Sequence, residues 1–132
     1  MPVRGIRGAT TVESDSAKEI EESTTELLRQ LIDANHIDPS DIAGAWFTTT
    51  RDLAAEFPAV AARKLGWTEV PLLCGHEMSV VESNPRSIDH CIRVMILLNT
   101  DRPAADMNFI YLRRAAEIKA DLDRLKANRG DE

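Results

Sequence analysis

Cysteine, aromatic side chains and excess positive charge are all scarce in this chain, and each scarcity removes a class of protein. Two cysteines, Cys74 and Cys91, are too few for the disulfide framework of a small secreted domain, so both read as thiols. Sixteen Lys and Arg stand against 22 Asp and Glu, and there are only six aromatic residues. A net charge of −6 argues against a nucleic-acid surface, which needs clustered cations and often stacking platforms. The longest apolar run, Val94 to Leu98, falls far short of the roughly 20 residues that a membrane span requires, and no basic-then-apolar signal segment opens the sequence. The expectation is a soluble, cytoplasmic protein with no nucleic-acid or membrane partner, in which any anionic ligand is held by a few local arginines.

What is present is an ordinary globular mixture, 43% apolar and 29% charged over 132 residues. That suits one hydrophobic core without metal or disulfide staples. Residues 2 to 12 read as a strand, with Gly5 and Gly8 marking places of close approach and Arg7 on the face of Val3, Gly5 and Ala9. Ser16-Ala-Lys-Glu19 fits a capping box, and Ala17, Ile20, Leu27, Leu28 and Leu31 then recur at helical spacing up to a left-handed stop expected at Asn35. Asp38-Pro39 opens a short turn before a strand from Ile42 to Thr50. A shorter helix starts at Pro58 and ends before Gly66, and Val70 to Cys74 is a further strand. Residues 81 to 90 are a polar loop. Cys91 to Asn99 is apolar on both alternating faces except for one arginine, which suggests a strand covered on both sides. After a turn at 101 to 106, Phe109 to Ile118 is expected as the last strand, and from Lys119 the chain is charged and frayed or weakly helical. The fold class is thus α/β (α+β): a mixed five-stranded sheet with one long and one shorter helix, residues 1 to 121 as one domain and 122 to 132 as a charged tail. One long helix covers only part of one sheet face, so the other face calls for a second subunit.

Three groups of residues could carry chemistry. Arg93, inside an apolar strand, is costly to bury unless it meets an anion; a structural ion pair and an anion-binding cleft both satisfy that. Arg7 lies between two glycines that leave its guanidinium uncrowded, and its alternative is a solvated edge charge. Cys74-Gly-His-Glu77 offers three reactive groups in four residues. A zinc site from Cys74, His76, His90 and Cys91 can be written down, but the last two are sequential and point to opposite sides of a strand. A Cys74/His76 nucleophilic pair lacks an orienting third group, and plain packing of Cys74 is the simpler reading. Glu77 could pair with Arg93 or face a ligand.

RGIRGATTVE at 4 to 13, FPAVAARKLGW at 57 to 67, VPLLCGHEM at 70 to 78, CIRVM at 91 to 95, NTDRP at 99 to 103 and YLRRA at 111 to 115 together resemble the monofunctional chorismate mutases of the trimeric, pseudo-α/β-barrel class. The resemblance runs over most of residues 3 to 121. It implies a homotrimer with active sites between subunits, and conversion of chorismate to prephenate on the branch toward Phe and Tyr. By position, Arg93 matches the arginine at the breaking ether oxygen. Glu77 and Cys74 match groups facing the ring and its hydroxyl, and Arg7 and Tyr111 match groups that bind the enolpyruvyl carboxylate. Phe57, Ala59, Arg63, Leu72, Leu73 and Ile118 match the pocket wall. Lys119 matches a substrate-binding position at the mouth where that family often has arginine, and Val60 stands where it often has lysine, so carboxylate capture at the mouth is expected to be weaker or organised differently; the 81 to 90 loop is longer than usual. No metal, redox cofactor or nucleophile is implied, because the rearrangement is intramolecular and pericyclic. A trimeric module that binds a metabolite without turnover is the alternative.

Overall fold

The computed structural model describes residues 1 to 130. Five strands form one mixed sheet in the order β3-β2-β4-β1-β5. They are β1 (Val3–Thr11), β2 (Ile42–Thr49), β3 (Leu72–His76), β4 (Cys91–Asn99) and β5 (Ile110–Tyr111), with helices α1 (Ala17–Asn35), α2 (Ala59–Lys64) and α3 (Ala116–Gly130). The doubly apolar strand β4 is central, antiparallel to β1 on one side and β2 on the other. β3 runs parallel to β2 and β5 parallel to β1.

One sheet face is closed within the chain. Ile92, Val94, Ile96 and Leu98 of β4 are buried with Ile6 of β1, Phe47 of β2 and the apolar stripe of α1, where Ile20, Leu27, Leu28 and Leu31 are all fully inaccessible. Each such side chain contributes about 1.5–3 kcal/mol through burial. The helix sits close because Gly8 has no side chain: a Cβ there would lie 2.9 Å from Leu31 Cδ1 and 3.1 Å from both Leu27 Cδ1 and the Ile110 carbonyl. The alternate residues of the same strands face the other way. Val3, Trp46 and Leu73 are 49, 44 and 62% exposed, and Met95 and Leu97 are half-buried.

Several local expectations shift. Ser16 does cap α1, accepting a hydrogen bond from Glu19 N at 3.0 Å, but the Glu19 carboxylate accepts from Glu13 N and Ser14 Oγ instead of closing the box on Ser16. The left-handed residue is His36, with φ 51°, because the Asn35 side chain is buried and committed. It donates to Leu31 O and Asn108 O and accepts from Asn108 N at 2.7 Å, tying the end of α1 to the approach to β5. β3 begins two residues later than the apolar run. Pro71 has no N–H for the ladder, and Val70 turns into the core beside Trp67.

The largest difference is at the C-terminal end. The expected strand from Phe109 to Ile118 is only two residues long. Arg113 adopts φ 54°, which no extended strand accommodates, while its guanidinium donates to Thr11 O and Ser23 Oγ. Ile118 and Lys119 therefore lie on a helix, and that helix runs on through Gly130, where the chain was expected to be frayed or weakly helical; Asp131 and Glu132 of the expected tail lie outside the described residues. No helix among the described residues is long and apolar enough to cross a membrane.

Candidate functional site

The open sheet face carries a cleft over the middle strands, bounded by Ile118 at the start of α3. Its volume is about 210 Å3, and Arg7, Glu77, Arg93, Tyr111 and Ile118 all line it, together with Ala9, Trp46, Thr48, Val94 and Met95. Strand register explains the convergence. Arg93 of β4 lies opposite Ala9 of β1 and Thr48 of β2, and Tyr111 of β5 lies beside Ala9 from the other side. Glu77 follows β3 directly, fixed by its N–H donating to Thr49 O at 2.8 Å.

Arg93 and Glu77 form an ion pair, with Nε 3.2 Å from Oε2 and both side chains about one-third exposed. The pair answers the charge-burial problem only in part. Arg93 Nε is not aligned to hydrogen-bond its partner, and it remains a buried donor without an acceptor, as does the buried Thr48 hydroxyl on the neighbouring strand. Buried polar atoms without a partner also occur on Thr10, Thr24 and Trp67 in the core; those of Arg93 and Thr48 differ in belonging to residues that line a cleft, which a polar ligand can enter. Arg7 adds a cation held over the Phe109 ring, 5.6 Å from its centroid. The cleft can therefore hold an anion and meet negative charge as it develops next to a fixed carboxylate.

The remaining candidates stand elsewhere. Cys74 pairs in register with the core residue Phe47, so it faces the helix side of the sheet, opposite to the side of Arg93. Phe57 and Cys74 line a second cavity of about 370 Å3 with Thr49, Pro58 and His76, and Phe57 is 65% exposed. Ala59 is buried at the start of α2 and Arg63 is exposed on it, while Leu72 leans on the core and Leu73 projects from the open face. Val60 is half-buried on the same helix. Lys119 lines neither cavity; it borders a third hollow with Phe109, Tyr111 and Lys126. Burial pushes the Cys74 thiol above its ordinary pKa, with the Ala59 amide and Arg63 opposing the shift, so the group is a neutral thiol at physiological pH. That suits packing and weak hydrogen bonding and not nucleophilic attack.

Cys74, His76, His90 and Cys91 do not gather as metal ligands. The group of candidate ligands that does gather among the described residues is Asp52, Asp89 and His90, and it is already engaged. Asp52 accepts from Thr50 Oγ1 and His90 N, and Asp89 accepts from Arg114. Sequence reading missed Thr48, whose signal was available: a threonine on the arginine's side of the strand next to β4. It also missed Arg113, which reads as one more charge in a charged segment.

Residues 3 to 122 match the family described as chorismate mutase type I. The chain is 42% identical over 127 residues to the chorismate mutase AroH of Bacillus subtilis (strain 168), covering 96% of this chain and 97% of that protein. It is 44% identical over 122 residues to the chorismate mutase AroH of Thermus thermophilus, covering 92% and 97%. A solved chorismate mutase from Clostridium thermocellum superposes with a TM-score of 0.80 at 44% identity, covering 85% of this chain and 96% of that one.

Proposed function

The chain belongs to the chorismate mutase type I family, and from that premise we propose that it is an isomerase acting in the cytoplasm as a homotrimer, with residues 1 to 121 as the functional unit. Its reaction is the rearrangement of chorismate to prephenate in aromatic amino-acid biosynthesis. The ether C–O bond of the substrate breaks as a C–C bond forms between the enolpyruvyl carbon and the ring, with no proton, electron or group exchanged with the protein. The protein has two tasks: to hold a flexible dianion in its compact conformer, and to stabilise charge as it separates.

Arg93 and Glu77 suit the second task. As the C–O bond lengthens, the ether oxygen gains negative charge that Arg93 can meet, since its Nε is ion-paired with Glu77 but makes no hydrogen bond to it, and the ring gains positive character that Glu77 can face. Both contacts strengthen only in the transition state, so they raise turnover and not merely affinity. Arg7, with Tyr111 beside it, takes the enolpyruvyl carboxylate. The observation that carries this reading is the convergence of Arg93, whose buried Nε has no hydrogen-bond acceptor, with Arg7, Tyr111 and the Glu77 carboxylate on one cleft.

Two half-sites support a site shared between subunits, and the trimer is what the family resemblance implies. Arg7, Glu77, Arg93, Tyr111 and Ile118 lie on the open face, whereas Phe57, Ala59, Arg63, Leu72 and Cys74 lie about the helix side of the β3 edge. A single chain cannot wrap both around one substrate. We assign the first set to one subunit and the second to its neighbour, with the exposed apolar face of Val3, Trp46, Leu73, Met95 and Leu97 covered between copies. Loss of chorismate absorbance with appearance of prephenate, measured alongside the solution mass, tests the whole reading. Binding of chorismate without prephenate formation would replace it with a metabolite-binding module, and an active monomer would remove the shared site.

A further inference from the structure

Two carboxylates must be held by this cleft if it takes chorismate, yet the cations within it are nearly all spoken for. Arg93 is paired with Glu77. Arg7 serves one carboxylate. At the mouth, a larger hollow of about 740 Å3 opens between the 81 to 90 loop and α3, and there Arg124 is paired with Asp121 while Glu117 contributes an unmatched negative charge. Lys119, the cation expected at the mouth, borders a different hollow. Arg63 belongs to the half-site assigned to the neighbouring subunit, so within one chain the mouth needs a further free cation to hold the second carboxylate.

Arg86 supplies one. It lines the mouth together with Arg7 and Arg93, and it also lines the adjoining hollow that contains Glu77 and Arg93, so it stands between the two approaches to the cleft. Among the described residues its guanidinium has no carboxylate within ion-pair distance. Its backbone is nevertheless fixed. The Arg86 N–H donates to Asn84 Oδ1 at 2.9 Å, and the Ser87 N–H donates to Asn84 O at 2.9 Å. Three residues on, Asp89 accepts from Arg114 at 2.8 Å, which anchors the loop to the start of the C-terminal segment. A free planar fork on an anchored turn is suited to gripping a carboxylate in bidentate fashion.

We infer that Arg86 is a specificity-determining residue of this enzyme, binding the ring carboxylate of chorismate at the mouth of the cleft. The inference rests on the reading of the cleft as the chorismate site. Because the ring carboxylate is present equally in the substrate and the transition state, the contact contributes uniform binding. Arg86→Ala should raise KM about tenfold and leave kcat within about twofold, on the scale of one charged hydrogen-bonded contact. Arg86→Lys should recover part of the loss. The decisive probe is the methyl ester of the ring carboxylate, used as a competitive inhibitor: the parent and Arg86→Ala should bind it equally. An unchanged KM for chorismate in Arg86→Ala, or an equal loss for the ester, overturns the role of Arg86. Undiminished turnover in Arg93→Ala would instead overturn the site itself, so the two failures are separable.

Discussion

The two faces of the sheet are built from alternate residues of the same strands, yet they end in opposite states. Under α1, Ile92, Val94, Ile96 and Leu98 are sealed by leucines from a helix that the chain supplies itself. On the reverse, Arg93, Met95 and Leu97 of that very strand remain partly in contact with water, and Val3, Trp46 and Leu73 more so. The closed face is mostly apolar packing, with Thr10, Ser23 and Thr24 buried within it and no charged side chain among its buried residues. The open face has unmet contacts, both apolar and polar, and every cleft arginine is on it. A face left unsaturated by its own chain can be completed by a neighbour and by a substrate at once.

That contrast can be broken in four places. The greatest loss should come from Arg93→Ala, with turnover reduced about 10²–10³-fold, the scale of removing one preorganised donor to a developing negative charge. Arg93→Lys should recover little, since an ammonium lacks the planar fork; steady-state kinetics on folded protein decides it, and near-normal turnover would leave Arg93 as a structural ion pair only. Next is Leu97→Asp on the open face. It should weaken assembly by about 1–3 kcal/mol per subunit by placing a carboxylate against apolar surface, and activity should fall with the trimer. Circular dichroism should stay unchanged because the closed face is untouched, whereas light scattering should shift toward monomer. A variant that is fully trimeric would mean that copies meet elsewhere.

Gly8→Ala attacks the closed face. Its methyl group would press on Leu27, Leu31 and the Ile110 carbonyl, costing about 1–3 kcal/mol of stability in a denaturant melt and displacing β5 with Tyr111. A neutral result would show that α1 can retreat without cost. The smallest change is Cys74→Ser, which should keep most of the activity, with Cys74→Ala losing about tenfold, a modest hydrogen bond's worth. A dead but folded Cys74→Ser protein would point to covalent chemistry. The thiols also set one pH dependence. Burial raises Cys74 and Cys91 above the ordinary thiol range, so the unfolded chain ionises first as pH rises. The stability they contribute is complete at neutral pH and is lost as pH climbs through and beyond that range; denaturant midpoints of the parent and a Cys91→Ala variant across alkaline pH should converge.

How much of this was readable from residues alone depends on how local the cause was. β4 was legible to the residue, Cys91 to Asn99, since a run apolar on both alternating faces fits a central strand and little else. The apolar stripe of α1 was equally plain. What could not be read was tertiary. Val70 belongs with the core and not with β3 because Trp67 fills the space beside it. The C-terminal strand stops at Tyr111 because Arg113 turns back to reach Thr11 and Ser23, about a hundred residues earlier in the first case. Asn35 looks like a helix stop by type, and its neighbour does that work while Asn35 latches Asn108. For the site, residue types and spacing brought out Arg7, Arg93 and Glu77, and the resemblance added Tyr111 and the wall residues. The division of those residues between the two sides of the sheet needed register, because a sequence does not show which strand lies next to which.

The sheet order has a consequence for how the protein is made. β1 leaves the ribosome first, but both of its neighbours, β4 and β5, come from the last third of the sequence, with Val3 opposite Asn99. An emerging chain can form α1 early, yet β1 has no hydrogen-bonding partner until β4 has been synthesised. Most of the polypeptide must therefore wait, with its future core exposed, until synthesis has passed Asn99, and contacts of such long sequence separation close slowly.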